Sequence, residues 1–291
     1  MPMLSIIRPP TVLSRNSITA DTVPPIGLAY LASSLKQAGH KVVGVDALIE
    51  GVDKWGEVDN YPEVVSRGLS ISEVITRIPA DSQLICVSCM FSGAWPYVRQ
   101  VLLDIRKAFP GVPIVVGGEH ITALPDYVLE TCPAIDYCIK GEGERAIVML
   151  ANTLCETTDP NKISQQVPGI VLRIDDKIVH GAAAERIKDI DSLPEPDWTI
   201  FPIESYLDSG YSFGINRGRS IPIIASRGCP YKCTFCSSPQ MWTTLWKARS
   251  PDAVVNEMKN YIEKYNVENF DFYDLTAIVK KQWIYSTREQ I

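Results

Sequence analysis

The stretch Ile221-Pro-Ile-Ile-Ala-Ser-Arg-Gly-Cys229-Pro-Tyr-Lys-Cys233-Thr-Phe-Cys236 puts three thiols at the spacing CxxxCxxC directly after a short apolar run. Ile221 to Ser226 reads as a β-strand, so the cysteines occupy the loop at its carboxyl end. Thiolates are soft ligands that select zinc, copper(I) or iron-sulfur clusters. Three of them in so short a loop reach three corners of a compact cluster and leave a fourth iron open for chemistry. A structural zinc ion normally takes four protein ligands, commonly as two pairs, and no second Cys or His knuckle follows this loop. A zinc-stabilised interaction module and unligated thiols stay as the alternatives. Gly228 and Pro230 suit a close approach of backbone to a bound group, and equally suit an ordinary turn.

Working outward, Pro251 to Tyr265 has a helical pattern, Glu268 to Tyr273 a strand pattern, and Lys280 to the end a helical one. With the strand at Ile221 they begin a βαβ unit. Upstream, short apolar runs at Leu4 to Ile7, Lys41 to Val45, Leu84 to Ser88, Pro113 to Val116 and Ile135 to Ile139 alternate with helical patterns. The helices are predicted at Ile26 to Ala38, Pro62 to Ile78, Trp95 to Phe109, Leu124 to Thr131 and Glu144 to Cys155. That rhythm predicts an α/β, doubly wound, Rossmann-like domain whose ligand sits outside the carboxyl ends of parallel strands. Gly169 to Arg173 and Lys177 to His180, around Ile174-Asp-Asp176, predict a hairpin closing that domain. The prolines of Leu193-Pro-Glu-Pro-Asp-Trp198 and Phe201-Pro202 make Glu185 to Arg219 an ordered but irregular linker. The expected division is a first domain over 1–184, a linker over 185–219 and a second domain over 220–291.

Composition narrows the function classes. A net charge of -6 gives no support to a broad nucleic-acid surface. No run approaches the roughly 18 apolar residues of a spanning helix, and the start lacks the basic and small-residue marks of a signal peptide. A cytoplasmic protein is expected, and in that compartment the eight cysteines are thiols or metal ligands, not a disulfide framework. Cys86 and Cys89 form a CxxC, but buried free cysteine behaves as a small hydrophobe, and that reading is preferred; Cys132, Cys138 and Cys155 are scattered.

The cysteine loop resembles the signature CxxxCxφC of radical S-adenosylmethionine enzymes, with Phe235 at the aromatic position φ. The resemblance implies a four-iron four-sulfur (4Fe-4S) cluster on Cys229, Cys233 and Cys236, with S-adenosylmethionine on the fourth iron and Phe235 beside its adenine. Pro24-Pro-Ile-Gly-Leu-Ala-Tyr30 through Gly39 to Asp46, Val116-Gly-Gly-Glu-His120 and Asp136-Tyr-Cys-Ile-Lys-Gly141-Glu-Gly-Glu144 resemble, in the same order, the cobalamin-binding domain that precedes many such cores. Gly117, Gly118, His120 and Gly141 are then the expected cobalamin-side residues. Packing alone explains the glycines about as well. The DxHxxG pattern that gives cobalt a histidine is missing, so His120 is not assigned as a cobalt ligand but as a hydrogen-bonding loop residue. Glu119, Glu142 and Glu144 are expected as a loop face.

Phe270-Asp-Phe-Tyr-Asp274-Leu-Thr resembles the second barrel strand and the acidic position after it, making Asp274 a cosubstrate-side candidate. Arg249 is expected as a solvated arginine, with an anionic part of the cosubstrate as its alternative partner. A full (β/α)8 barrel takes about 250 residues. The stretch from Ile221 to Ile291 has room for only strand, helix, strand and helix, so a C-terminally truncated, incomplete barrel is expected. The activity implied by the resemblance is methyl transfer to an unactivated carbon, or a related radical ring formation or rearrangement, on a small-molecule substrate. A flavodoxin- or ferredoxin-type electron donor would serve it. The alternative is a truncated, non-catalytic remnant that binds cobalamin and iron-sulfur.

Overall fold

Along Met3–Arg8 successive side chains part to opposite faces: Leu4 and Ile6 enter one apolar core and Ile7 the other. The computed structural model describes residues 2–17, 22–213, 217–277 and 279–290. Met3–Arg8 pairs in parallel with Lys41–Asp46 on one side and Ser82–Ser88 on the other, and Ile114–Gly117 and Tyr137–Ile139 extend the parallel array. Ile170–Ile174 and Lys177–His180 complete a seven-stranded sheet as an antiparallel edge. The predicted hairpin is therefore part of the main sheet. Its Asp175 and Asp176 both have positive φ, 46° and 60°, as a tight turn matched to strand twist requires.

Helices Ile26–Gln37 and Gly143–Glu156 cover one face, where Tyr30, Leu35, Ile147 and Leu150 pack on Leu4, Ile6 and Leu84. Helices Ile71–Arg77, Trp95–Ala108 and Pro125–Thr131 cover the other, where Val98, Leu102 and Val128 pack on Ile7, Ile85 and Val87. This is the doubly wound arrangement, and its switch point lies beside Met3–Arg8, where the strand order reverses.

Two expectations are corrected. The helix predicted over Pro62 to Ile78 begins only at Ile71, and Val64–Arg67 is instead the central strand of a three-stranded antiparallel sheet with Thr11–Ser14 and Trp55–Glu57. Gly68 separates the two, with φ of +130° and a position where a Cβ would lie 2.4 Å from the Ala47 carbonyl oxygen. Ser70 then caps the helix in a reciprocal box with Glu73. The segment read as an irregular linker contains helix Ile203–Asp208, and its Trp198, Phe201, Tyr206 and Leu207 are buried in the first core. Residues 214–216 of that segment lie outside the described residues.

Beyond it, Ser220–Ile223 and Asn269–Phe272 pair in parallel around helix Pro251–Tyr265, which Ser250 caps and Asn266 ends in a left-handed turn. The strand predicted over Ile221 to Ser226 is split, because Ser226–Arg227 leaves to pair with Lys247–Ala248. Helix Lys281–Gln290 packs on Pro251–Tyr265, and Ile291 lies outside the described residues. No helix among the described residues is long and apolar enough to cross a membrane.

Candidate functional site

Gly117 ends its strand with open space around it, since a Cβ there would meet nothing nearer than the Ile139 carbonyl oxygen at 3.8 Å. Gly118 is different. Its φ is +114° and a Cβ would lie 2.5 Å from the Cys89 carbonyl oxygen, so backbone packing at the end of the neighbouring strand already requires glycine. Gly141 also has positive φ, +74°, and its N–H donates to Thr122 Oγ1 at 3.0 Å. His120 lies in helix Glu119–Ala123, not in a loop, and is only 3% exposed. Its Nδ1 is 2.9 Å from Ser92 Oγ, its ring tilts against Trp95 with centroids 5.2 Å apart, and burial lowers its pKa. Those contacts make His120 a packed side chain that hydrogen-bonds through one ring nitrogen.

The cysteine loop leaves the fold through a narrow neck. Ser226 and Arg227 pair with Ala248 and Lys247, and Gly228, with φ of +85°, lets the Leu245 carbonyl come where a Cβ would be only 2.2 Å away. Cys229 is half-buried and its sulfur accepts from Thr276 Oγ1 at 3.1 Å; Cys233 and Cys236 are exposed. The Ser238 N–H points at the Cys236 sulfur from 3.4 Å. Hydroxyl and amide donors aimed at sulfur are the contacts that tune the reduction potential of a thiolate-held cluster. Among the described residues, no three His, Cys, Asp or Glu side chains converge on one point that could hold a single metal ion. The donor set, three separate thiols with hydrogen bonds to two of them, fits a cluster. Phe235 is 91% exposed, projecting from the loop.

Asp274 sits under the neck. Its carboxylate accepts from the Ala225 N–H at 3.1 Å and from the Ser226 hydroxyl, and burial raises its pKa. Trp246 Nε1 donates to Ser226 Oγ and to the Thr276 carbonyl. Asp274 thereby fastens the loop's root to the segment after the second strand. Arg249 is not solvated: it is 7% exposed and its Nη1 donates to Glu257, which is fully buried, and to the Ile224 carbonyl.

The acidic loop face is corrected in the same way. Glu142 and Glu144 are buried and paired with arginines: Arg227 Nη1 is 2.9 Å from Glu142, its Nη2 is 2.6 Å from Glu144, and Arg186 Nε is 2.7 Å from Glu142. Burial opposes the Arg227 charge, but Glu144 and Glu142 outweigh it and raise the pKa above the ordinary value. Glu119 accepts from Ser237 at the far side of the loop. Sequence reasoning passed over Arg227, Arg186, Tyr30 and Trp242, which meet here. The signal was an arginine directly before Gly228-Cys229 and a Gly-Glu-Gly-Glu run 80-odd residues earlier.

With a loop of three thiols packed against the carboxyl ends of a doubly wound sheet, comparison with known proteins becomes informative. Residues 18–151 match the B12 binding domain family. That stretch of the chain is similar to the B12-binding domain family. It is 26% identical over 279 residues to an uncharacterized methyltransferase of Pyrococcus horikoshii, covering 95% of this chain and 54% of that protein. It is 28% identical over 283 residues to an anaerobic magnesium-protoporphyrin IX monomethyl ester cyclase of Cereibacter sphaeroides, covering 97% of this chain and 42% of the relative. The chain spans about half the length of the curated relatives it matches. Its fold is shared with the radical S-adenosylmethionine methyltransferase TsrM of Kitasatospora setae, at a TM-score of 0.69 and 18% identity over 100% of this chain and 50% of that one. Another structure of TsrM holds cobalamin and a 4Fe-4S cluster.

The expected resemblance thus stands, and the α/β architecture with it. Gly117, Gly118, His120 and Gly141 fall inside the B12-binding domain; Cys229, Cys233, Cys236, Phe235 and Asp274 fall beyond it. Gly117, Glu119, Glu142 and Glu144 come from strand ends or the starts of the helices that follow them, and the loop and its root rest on Glu119, Glu142 and Glu144.

Proposed function

We propose that this chain is the cofactor-bearing part of a cobalamin-dependent radical S-adenosylmethionine enzyme that methylates an unactivated carbon or closes a ring on a small-molecule substrate. The single observation that carries this reading is the direct seating of the CxxxCxxC loop on the B12-binding domain through Arg227, Glu142, Glu144, Ser237 and Glu119. Two cofactors that exchange a methyl group or an electron must lie close together, and a shared buried contact provides that closeness. The relatives named as a methyltransferase and a ring-forming cyclase support this class of chemistry.

In this reading Cys229, Cys233 and Cys236 hold a 4Fe-4S cluster, which with S-adenosylmethionine supplies radical or methyl-donor chemistry, while cobalamin supplies a methyl carrier. The backbone at Phe235 would contact the adenine of the cosubstrate, and Asp274 keeps the loop's root in place. Gly117 leaves room above its strand for the flat corrin, and Gly118, Gly141 and His120 shape the neighbouring backbone. The division into 1–184, 185–219 and 220–291, the cytoplasmic location and a flavodoxin- or ferredoxin-type donor belong to the same proposal.

The test is anaerobic iron, sulfide and cobalt analysis of the reconstituted chain, with an assay for 5′-deoxyadenosine and S-adenosylhomocysteine after reduction. About four irons per chain, retained cobalamin and either product support the reading. Cofactors without product identify a binding remnant, and zinc without iron or sulfide overturns it.

A further inference from the structure

Arg227 is two residues from the first loop cysteine, yet its guanidinium reaches the start of helix Gly143–Glu156 in the B12-binding domain. Each terminal nitrogen takes a different carboxylate, Glu142 at 2.9 Å and Glu144 at 2.6 Å, which fixes the plane of the fork as well as its position. Its central carbon lies over two aromatic rings, 5.1 Å from the Tyr30 centroid and 5.8 Å from the Trp242 centroid. Arg186 holds the second oxygen of Glu142 at 2.7 Å, and the Ile187 N–H adds another 2.7 Å bond to the same oxygen. Two arginines therefore balance two carboxylates. The side chains of Arg227, Glu142 and Glu144 are 3%, 0% and 7% exposed.

An assembly of this kind gains little stability over well-packed apolar side chains, because desolvating the charges offsets their attraction; its best-attested use is to specify one geometry. The geometry specified here is the seat of the cysteine loop. The neck gives the loop one fixed direction through the pairing of Arg227 with Lys247, and helix Ser238–Trp242 packs against Glu119–Ala123 at the loop's far end. We propose that Arg227 is a positioning residue, which with Glu142 and Glu144 locks the cysteine loop to the B12-binding domain and sets the separation and orientation of the cluster relative to cobalamin. What the loop carries rests on the functional reading above; the lock itself rests on the contacts.

Two measurements separate these. In the cofactor-free chain, hydrogen exchange of backbone amides over residues 228–246 is expected to rise at least tenfold in Arg227→Met and in Glu144→Gln. Exchange in Met3–Arg8 and Ser82–Ser88 is expected to stay as in the parent. Arg227→Lys, which keeps the charge but not the fork, should recover part of the protection; it carries the same test if Arg227→Met folds poorly. In the loaded chain, electron paramagnetic resonance of the reduced cluster beside cob(II)alamin should show one defined spin coupling, broadened in Arg227→Met and partly restored in Arg227→Lys. Unchanged loop exchange in Arg227→Met, or an unchanged spin coupling, overturns the proposal. A parent chain that binds neither cofactor overturns the functional reading instead, and the exchange data then decide the lock.

Discussion

At the centre of the seven-stranded sheet, Leu4, Ile6 and Ile85 meet apolar side chains on both faces. At equal depth in the unit that begins at Ser220, the buried groups include Arg227, Arg249 and Glu257. The small core there that does not merge with the first comprises Ile223, Ala225 and Val254 with a few partly buried neighbours, while Ile221, Tyr261 and Tyr265 join the core of the B12-binding domain. The centre of the first region is held mainly by apolar area, with its charge pair, Arg8 and Asp46, confined to the strand ends. The other borrows apolar area from its neighbour and adds charge pairs that are nearly neutral when intact and costly when broken. A region built in the second way has a defined shape without much stability of its own, which suits a loop that must present thiols at a fixed place.

The contrast can be broken most directly at Arg249. Arg249→Met leaves the buried Glu257 carboxyl without its cation, and is expected to lower unfolding free energy by about 3–5 kcal/mol in denaturant titration. Replacing both partners with apolar residues, Arg249→Met with Glu257→Leu, should restore most of that. A single variant costing well under 1 kcal/mol would remove the distinction between the two regions. In the sheet region, Leu102→Ala is expected to cost about 2–5 kcal/mol, and no second substitution of charge will recover it. The measure is the same titration.

Smaller effects sharpen the reading of individual positions. Gly118→Ala should cost about 1–3 kcal/mol because its backbone has φ of +114° and no room for a Cβ. Gly117→Ala should leave stability nearly unchanged and instead weaken cobalamin retention, measured by the absorbance of bound cobalamin after gel filtration. Ser250→Ala removes a cap whose hydroxyl accepts from the Ala253 N–H, and is expected to cost about 1 kcal/mol.

Thiol labelling compares the regions by reactivity. Burial pushes Cys86 and Cys89 up to about 12, so both stay protonated and slow to react with iodoacetamide from pH 7 to 9. Exposed Cys155, Cys233 and Cys236 should label first in the cofactor-free chain. The sign for stability follows: a thiol whose pKa is raised by folding favours the fold below its unfolded value, and that contribution is lost as pH rises toward about 12. Rapid labelling of Cys86 at pH 8 would restore the redox reading of this CxxC.

The parts legible in the sequence are those whose cause is local. Leu4 to Ile7 and Leu84 to Ser88 are short apolar runs of the kind a buried strand accommodates, Trp95 to Phe109 has a helical period, and CxxxCxxC marks a soft-ligand loop by its spacing. Val64–Arg67 was read as helix because its strand character comes from pairing with Thr11–Ser14, some fifty residues away. The prolines around Trp198 and Phe201 correctly marked irregular backbone but gave no sign that these rings would fill the first core. Glu142, Glu144 and Arg249 looked like surface charges, since charged residues usually are.

The sequence by itself determined the α/β alternation, the thiol loop and the order of the cofactor motifs, because propensity, period and ligand spacing act within a few residues. Only the tertiary structure decided which charges are buried and that Arg227 meets Glu142 and Glu144. The free energy of a buried ion pair depends on desolvation and on distance to a partner more than eighty residues away, and neither quantity exists until the chain has folded.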